Sequence, residues 1–446
     1  MVVLVTTIHV FQFLLFCPRR ETKETRGWSA FATGVRFKNV DWLHGIDSTD
    51  VQAFGDVLDT ERINAMRHQN SVFHDLLKRI PWASFDRLVC EHGADKHVRR
   101  LTTRHQLCAL LYGQLAGASG LREITDGLES HSARLYHAGM RPVKRSTLAD
   151  ANAQRPAEVF SGLFAEMVGR LQRGLRRKMA DATYLIDATS LPLSGMGSDW
   201  AHYASKPCGV KAHVIYDADA DSPVYASITP ARINDITAAK AMPIEPGATY
   251  VFDLAYYDYG WWAGLDAAGC RIVTRFKRNT PLTVTAELDV PDGGNILSDR
   301  IGLLPQRQAR NRRNPFSDPV REVTVRTDSG KTLRILCNDL DAPAHEIADL
   351  YKRRWAIELF FRWVKQTLRI RHLIGTSENA VRIQIAVALI AYLLIHFAYA
   401  AQKAVNGPQN FARLIRANLM HRKRIDRLIG PDPTTLQNQN QMSLQW

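Results

Sequence analysis

The segment YKRRWAIELFFRWVK near the carboxyl end spaces Tyr351, Arg354, Glu358 and Lys365 three, four and seven residues apart. At roughly 100° per residue these four ionisable side chains fall within about 60° of one another on a helix. Beside them runs an apolar stripe of Leu350, Ile357, Phe361, Val364 and Leu368, which needs a core along one flank. The pattern predicts one long helix, buried on one side and presenting a carboxylate, two cations and a phenol along its edge. Packing does not demand that edge. A site handling phosphates and metal does.

The charge balance points the same way. Lys and Arg number 58 against 44 Asp and Glu, a formal charge of +14, which favours a polyanionic partner, although a merely soluble basic protein has the same balance. Cys17, Cys90, Cys108, Cys208, Cys270 and Cys337 form no CxxC and no Cys/His cluster. They read as reduced cytoplasmic thiols, with neither a disulfide frame nor a zinc site. Two stretches imitate membrane segments. MVVLVTTIHVFQFLLFCPRR opens like a signal peptide, yet its charges follow the apolar run and no clear cleavage site appears. Residues 383–400 approach spanning length, but Gln384 and His396 interrupt them. A buried core helix and a cytoplasmic protein without a membrane are expected.

Residues 1–65 lack periodicity and are expected to be a non-native or disordered extension, with Met66 as the natural start. Residues 66–175 read as helical. Short helices, a Gly-Ala-Ser-Gly turn and Arg99, Arg100, Arg104, Arg122, Lys144 and Arg145 suit a helix-turn-helix-like DNA-binding domain. A helical bundle with solvated charges fits that pattern nearly as well. From about 182, ATYLIDATSLPL, GVKAHVIYDAD, SPVYASITPAR and ATYVFDLAYYD are short runs rich in Val, Ile, Tyr and Thr. Strands interspersed with helices give an α/β class with a mixed sheet. Its core falls in two parts, 176–270 and 341–415, separated by a β-rich insertion at 271–340. The polar tail, 416–446, is expected to end in disorder.

Asp187 in YLIDATS and Asp253 in YVFDLAYYD end apolar strand-like runs. Either one alone is better explained as a turn or cap residue. With Glu358 they make three carboxylates on two strands and a helix. Convergent carboxylates repel unless a cation lies among them, and Mg²⁺ prefers oxygen ligands. Two such ions about 3.5–4 Å apart can activate an attacking oxygen and stabilise a leaving one in phosphodiester displacement. Arg354 and Lys365 would then reach phosphate oxygens, Arg354 in bidentate fashion. Tyr351 could donate a hydrogen bond to the same backbone.

These residues resemble the insertion-sequence DDE transposases of the insertion-sequence-four type, marked by Y-x2-R-x3-E-x6-K around the catalytic glutamate. Tyr351, Arg354, Glu358 and Lys365 match all four positions, Asp187 matches the first aspartate, and Asp253 with Ala255 and Tyr256 matches D-x-[GA]-[FY]. VKAHVIYD, VTRFKRN, LYKRRWAIELFFRWVKQ and MRHQNSVFHDLLKRIPW are similar to the family as well, so the resemblance spans about 66–415. It implies a ribonuclease-H-like mixed-sheet core with a β-rich insertion, preceded by the helical DNA-binding domain. It implies Asp187, Asp253 and Glu358 as catalytic residues holding two Mg²⁺ ions, which Mn²⁺ can replace. It implies cut-and-paste transposition: water frees a 3′-hydroxyl, which attacks the opposite strand to make a hairpin that is reopened and joined to target DNA. Double-stranded DNA, as terminal inverted repeats and target, is the implied partner, with a homodimer on paired ends. Lys277, with Arg275 and Arg278, could line the DNA channel, and an ordinary basic strand edge is about as good an account.

Two departures stand out. The insertion has no tryptophan to receive a flipped base, only Phe276 and Phe316, which leaves the hairpin step without an acceptor. Asn234-Asp235 replaces a more usual His-Asp pair and is given no catalytic role. Trp355, Trp363 and His213 read as packing or surface residues. Two other functions share these features: a structure-selective ribonuclease-H-fold nuclease, and a non-catalytic DNA-binding protein derived from a transposase.

Overall fold

The apolar runs after residue 182 form five strands: β1 (Thr183–Pro192), β2 (Gly209–Asp217), β3 (Ser222–Pro230), β4 (Thr249–Phe252) and β5 (Arg271–Arg275). In this computed structural model residues 70–428 are described, apart from 175–180, 194–198, 202–208, 291–292, 308–312 and 371–372. Met66, the residues before it and the end of the tail lie outside the described residues. β1 pairs antiparallel with β2, and β2 with β3, while β4 joins β1 and β5 joins β4 in parallel. Parallel neighbours need crossovers. Helices α8 (Asp235–Ala239), before β4, and α9 (Tyr259–Ala267), between β4 and β5, lie in them. Three antiparallel strands followed by two parallel ones make the sheet ribonuclease-H-like.

Alternation along the strands divides the interior in two. Leu185, Leu191, Val214, Val251 and Val273 pack on one face with Ile357, Val364 and the long apolar helix of residues 378–400. Tyr184, Ile186, Tyr250, Phe252 and Ile272 pack on the other with Trp261, Trp262 and Leu265 of α9.

The insertion contributes β6 (Thr283–Leu288), β7 (Ile296–Leu303), β8 (Val320–Arg326) and β9 (Thr332–Cys337). β9 pairs antiparallel with β5, so all nine strands form one sheet, in the order β3-β2-β1-β4-β5-β9-β8-β7-β6. The strand Arg271–Arg275, expected within the insertion, pairs with β4 as part of the core. A buried fork fixes the join: Arg321 donates from Nε to Asp299 Oδ1 at 2.8 Å, from Nη2 to Oδ2 at 2.6 Å, and from Nη1 to Leu340 O at 3.0 Å.

Seven helices precede the sheet among the described residues: α1 (Val72–Leu77), α2 (Trp82–Glu91), α3 (Thr103–Ala116), α4 (Leu121–Ser130), α5 (Ser132–Leu135), α6 (Arg145–Gln154) and α7 (Glu158–Gly174). After it come α10 (Ala344–Arg353), α11 (Trp355–Thr367), α12 (Glu378–Ala400) and α13 (Pro408–Asn418). Helix α12 has a mean hydropathy of 2.0 over its apolar window, 78% of which is buried. It packs on α7, α3 and β3. An all-apolar helix needs cover on every side, and amino-terminal helices and sheet provide it together. The two regions therefore share one core. Beyond the expected limit at 415, Leu419, Met420, Ile425 and Leu428 are buried, and Phe73 N donates to Leu419 O at 2.8 Å.

The single long helix expected for the ionisable stripe is corrected to two, α10 and α11, meeting at Arg354. Arg354 N donates to Tyr351 O at 3.1 Å and Ile357 N to Arg354 O at 3.3 Å, a three-residue spacing that tightens the turn. Neither glycine nor proline marks the break. Side-chain pull accompanies it: Arg353 reaches Asp219 and Thr183 Oγ1, while Arg354 turns to Asp187 and Glu358.

Candidate active site

The parallel register of β1 and β4 brings the two aspartates together. Thr183 lies opposite Thr249, Tyr184 opposite Tyr250 and Leu185 opposite Val251. Asp187 and Asp253 each follow the last of these pairs by two residues, on the face that Leu185 and Val251 turn toward α11. Asp187 Oδ1 accepts from Ala188 N at 2.7 Å, and Asp253 Oδ1 from Ala255 N at 2.8 Å. The second bond caps a 3₁₀ turn, Leu254–Tyr256, that swings the chain away from the sheet.

Helix α11 carries Glu358 over this edge, and Arg354 ties it there. Arg354 Nη2 is 2.5 Å from Glu358 Oε1, and Nη1 is 3.7 Å from Asp187 Oδ2. The Tyr351 ring lies beside the same guanidinium, 5.8 Å from Cζ, and burial holds its phenol above the ordinary range. Burial likewise pushes the Asp187 carboxyl up to about 6, with the Asp253 and Glu358 carboxylates adding to it and Ala188 N and Arg354 opposing. A group so placed favours a neutralising partner. Among the described residues no three His, Cys, Asp or Glu side chains stand close enough to form a ready metal cage. The donors present are all carboxylate oxygens, the chemistry that suits Mg²⁺ or Mn²⁺ and disfavours zinc. In that respect the residues fit.

Lys365 lies two turns beyond Glu358 on α11, roughly 10 Å along the axis. Lys277 follows β5, its Nζ 4.2 Å from the centre of the Tyr257 ring. The two insertion aromatics, Phe276 and Phe316, are 2% and 4% exposed, so neither is open to an incoming base. His213, 0% exposed, gives Nε2 to a 2.8 Å contact with Thr229 Oγ1. Burial pulls its imidazole down to about 4, which keeps it neutral.

Two features escaped the sequence reading. Asp235, at the start of α8, binds Lys211 Nζ at 2.9 Å and lies 3.8 Å from His213 Nδ1. Tyr256, read only as a motif position, is 0% exposed with a hydroxyl that has no hydrogen-bond partner. The D-x-[GA]-[FY] pattern marks that position without distinguishing a phenol from a phenyl.

The helical region holds a cleft of about 1240 Å³ lined by Lys96, Arg99, Arg100, His105, Arg141 and Lys144, with Asp150 as its acid. Arg99, Arg100 and Lys144 are three of the cations singled out in the sequence. Arg104 lies instead over the Trp82 ring at 4.0 Å.

Comparison with known proteins follows these lines. Residues 179–394 match a family described as "Transposase DDE domain", and residues 68–141 a "Domain of unknown function (DUF4372)". The chain is 39% identical over 299 residues to a protein of Sinorhizobium fredii named as transposase y4zB, covering 66% of this chain and 81% of that one. It is 29% identical over 282 residues to one of Geobacillus stearothermophilus named as a transposase for insertion sequence element IS5377, covering 61% and 72%. Among solved structures it is similar to a piggyBac transposase in a synaptic complex with hairpin DNA, with a TM-score of 0.39 and 12% identity over 83% of each chain. With its DDE domain matched and four-fifths of y4zB aligned, the chain belongs to the DDE transposases of insertion sequences.

Proposed function

We propose that this transposase excises its insertion sequence and joins it to new DNA, with Asp187, Asp253 and Glu358 as its catalytic acids. One observation carries the residue assignment: the β1–β4 register and the Arg354 bridge gather, around one point, carboxylates that lie 66 and 105 residues apart along the chain. The three would hold two Mg²⁺ or Mn²⁺ ions, which supply the charge that activates an attacking oxygen and stabilises the leaving one. In the first step water attacks the phosphodiester at the element end and a 3′-hydroxyl leaves. In the second, that hydroxyl attacks another phosphodiester, so that one P–O bond forms as another breaks.

The chain's other groups position DNA. Tyr351, Arg354 and Lys365 offer a phenol and two cations beside the acids, for the phosphates flanking the scissile bond. Lys277 extends this charge along the sheet edge. The cleft of Lys96, Arg99, Arg100, Arg141 and Lys144 is the surface on which the helical region engages duplex DNA at the terminal inverted repeats. Two copies on paired ends would bring both element ends to one target.

Strand joining separates this reading from a plain nuclease. Purified protein with Mg²⁺, a labelled element end bearing a free 3′-hydroxyl and a target plasmid should yield a covalent end–target product. Efficient nicking with no joined product under any target condition would favour the nuclease. Folded, metal-supplied protein that binds ends without cutting would favour a DNA-binding derivative.

A further inference from the structure

Every polar group of the acid site has a partner in hand except one that lies behind it. The 3₁₀ turn capped by Asp253 delivers Tyr256 into the opposite core, where its ring packs between Phe252 and Trp261 at centroid distances of 6.0 and 6.1 Å. The residue is 0% exposed and its hydroxyl has neither donor nor acceptor beside it. A buried hydroxyl left in that condition costs roughly 1–3 kcal/mol relative to one that is bonded. Phenylalanine would fill the same aromatic slot without that cost, so packing gives no reason for the oxygen.

The charges around it supply one. The carboxylates of Asp187, Asp235 and Asp253 all act on the phenol and, after burial, hold its proton on ever more firmly. A phenol fixed in its neutral form is a donor, and its charged neighbours are acceptors. Lys211 occupies Asp235, bonding Oδ1 at 2.9 Å. Asp253 Oδ1 already takes Ala255 N. Asp187 has Oδ1 on Ala188 N, and its Oδ2 meets only the Arg354 guanidinium, at 3.7 Å. Hydrogen bonds at such sites commonly tighten only when substrate is bound.

We propose that Tyr256 is a positioning residue whose hydroxyl donates to the Asp187 carboxylate from behind the sheet and fixes the orientation in which that acid faces DNA and metal. This rests on the acid assignment above and adds a supporting layer to it. Groups of this kind typically alter metal affinity about 10–100-fold when removed, although they touch neither metal nor substrate.

Tyr256→Phe in the full chain separates the role from packing, because the two predict opposite signs. Thermal unfolding in chelator should be unchanged or shifted upward, since an unpartnered hydroxyl has gone. Mn²⁺ binding without DNA, followed by electron paramagnetic resonance, should weaken about tenfold or more. Nicking of an element end should slow by a similar factor while the KM for DNA stays the same. In an Asp187→Asn background the same substitution should leave the remaining Mn²⁺ affinity unchanged. If Tyr256→Phe binds Mn²⁺ and nicks like the natural protein, or if its effect persists undiminished in the Asp187→Asn background, the proposal fails. Nicking retained by Asp187→Asn would overturn the acid assignment itself, a result distinct from failure of Tyr256→Phe alone. Should the Phe variant fold poorly, 3-fluorotyrosine at this position keeps the ring, strengthens the donor and must still shift Mn²⁺ affinity.

Discussion

Replacing Asp187 with Asn should stabilise the chelated protein while it destroys cutting. The side chain is 21% exposed, and burial, reinforced by Asp253 and Glu358, lifts its carboxyl from 3.8 to about 6. At about 1.36 kcal/mol per pH unit, that lift corresponds to roughly 3 kcal/mol against the charged form in the folded state. The sign follows from proton binding: the folded chain keeps this proton to a higher pH than the unfolded one. Stability from the group is therefore fully present below about pH 4, falls as pH rises through about 6, and is gone above it. Asparagine cannot ionise, and its side-chain oxygen can still accept from Ala188 N. Urea unfolding of both proteins in chelator, from pH 4.5 to 8, reads the difference directly. The Asn variant should gain on the natural protein as pH rises and lead by up to about 3 kcal/mol at pH 8, and Mg²⁺ should stabilise only the natural protein appreciably. A difference flat with pH, or an Asn variant less stable at pH 8, would refute the electrostatic account of this carboxylate.

Other perturbations test neighbouring links. Arg321→Ala strands Asp299, which is 3% exposed, without its buried partner, and should cost about 3–5 kcal/mol in urea unfolding; a loss below about 1 kcal/mol would show that the fork does not hold the insertion to the core. Gly113→Ala sets a methyl 2.4 Å from Ile124 Cδ1, so overpacking between α3 and α4 should cost about 1–3 kcal/mol. Ile124→Val should recover part of that loss, and additive losses in the double variant would disprove the contact. Arg99→Ala and Lys144→Ala should weaken DNA binding alike for all sequences and lower the salt slope by about 1 each. An unchanged slope would remove the cleft from the DNA path.

Much of the architecture was legible because it rests on alternation and composition. β1, β2 and β4 have apolar runs that only a sheet buried on both faces accounts for, and Gln384 and His396 distinguish α12 from a membrane span. The three acids were found from strand ends and helix spacing, with the family resemblance fixing which acids mattered. The break at Arg354 was not legible, since YKRRWAIE contains no helix breaker and the interruption accompanies tertiary ion pairs with Asp219, Asp187 and Glu358. The shared core of helices and sheet was equally hidden. It depends on which surface α12 covers, and an all-apolar helix names no preferred face. Asp235 and Tyr256 escaped because their significance lies in contacts from residues 20 or more positions away.

Cutting of a single element-end duplex by the natural protein and by Asp187→Asn, Asp253→Asn and Glu358→Gln, with DNA binding followed in parallel, bears most directly on the site. Three variants that bind the end nearly as well as the natural protein, yet cut it at no detectable rate with Mg²⁺ or Mn²⁺, would be the outcome if the carboxylates act as a unit. Mg²⁺-dependent cutting retained by any one of them would contradict it.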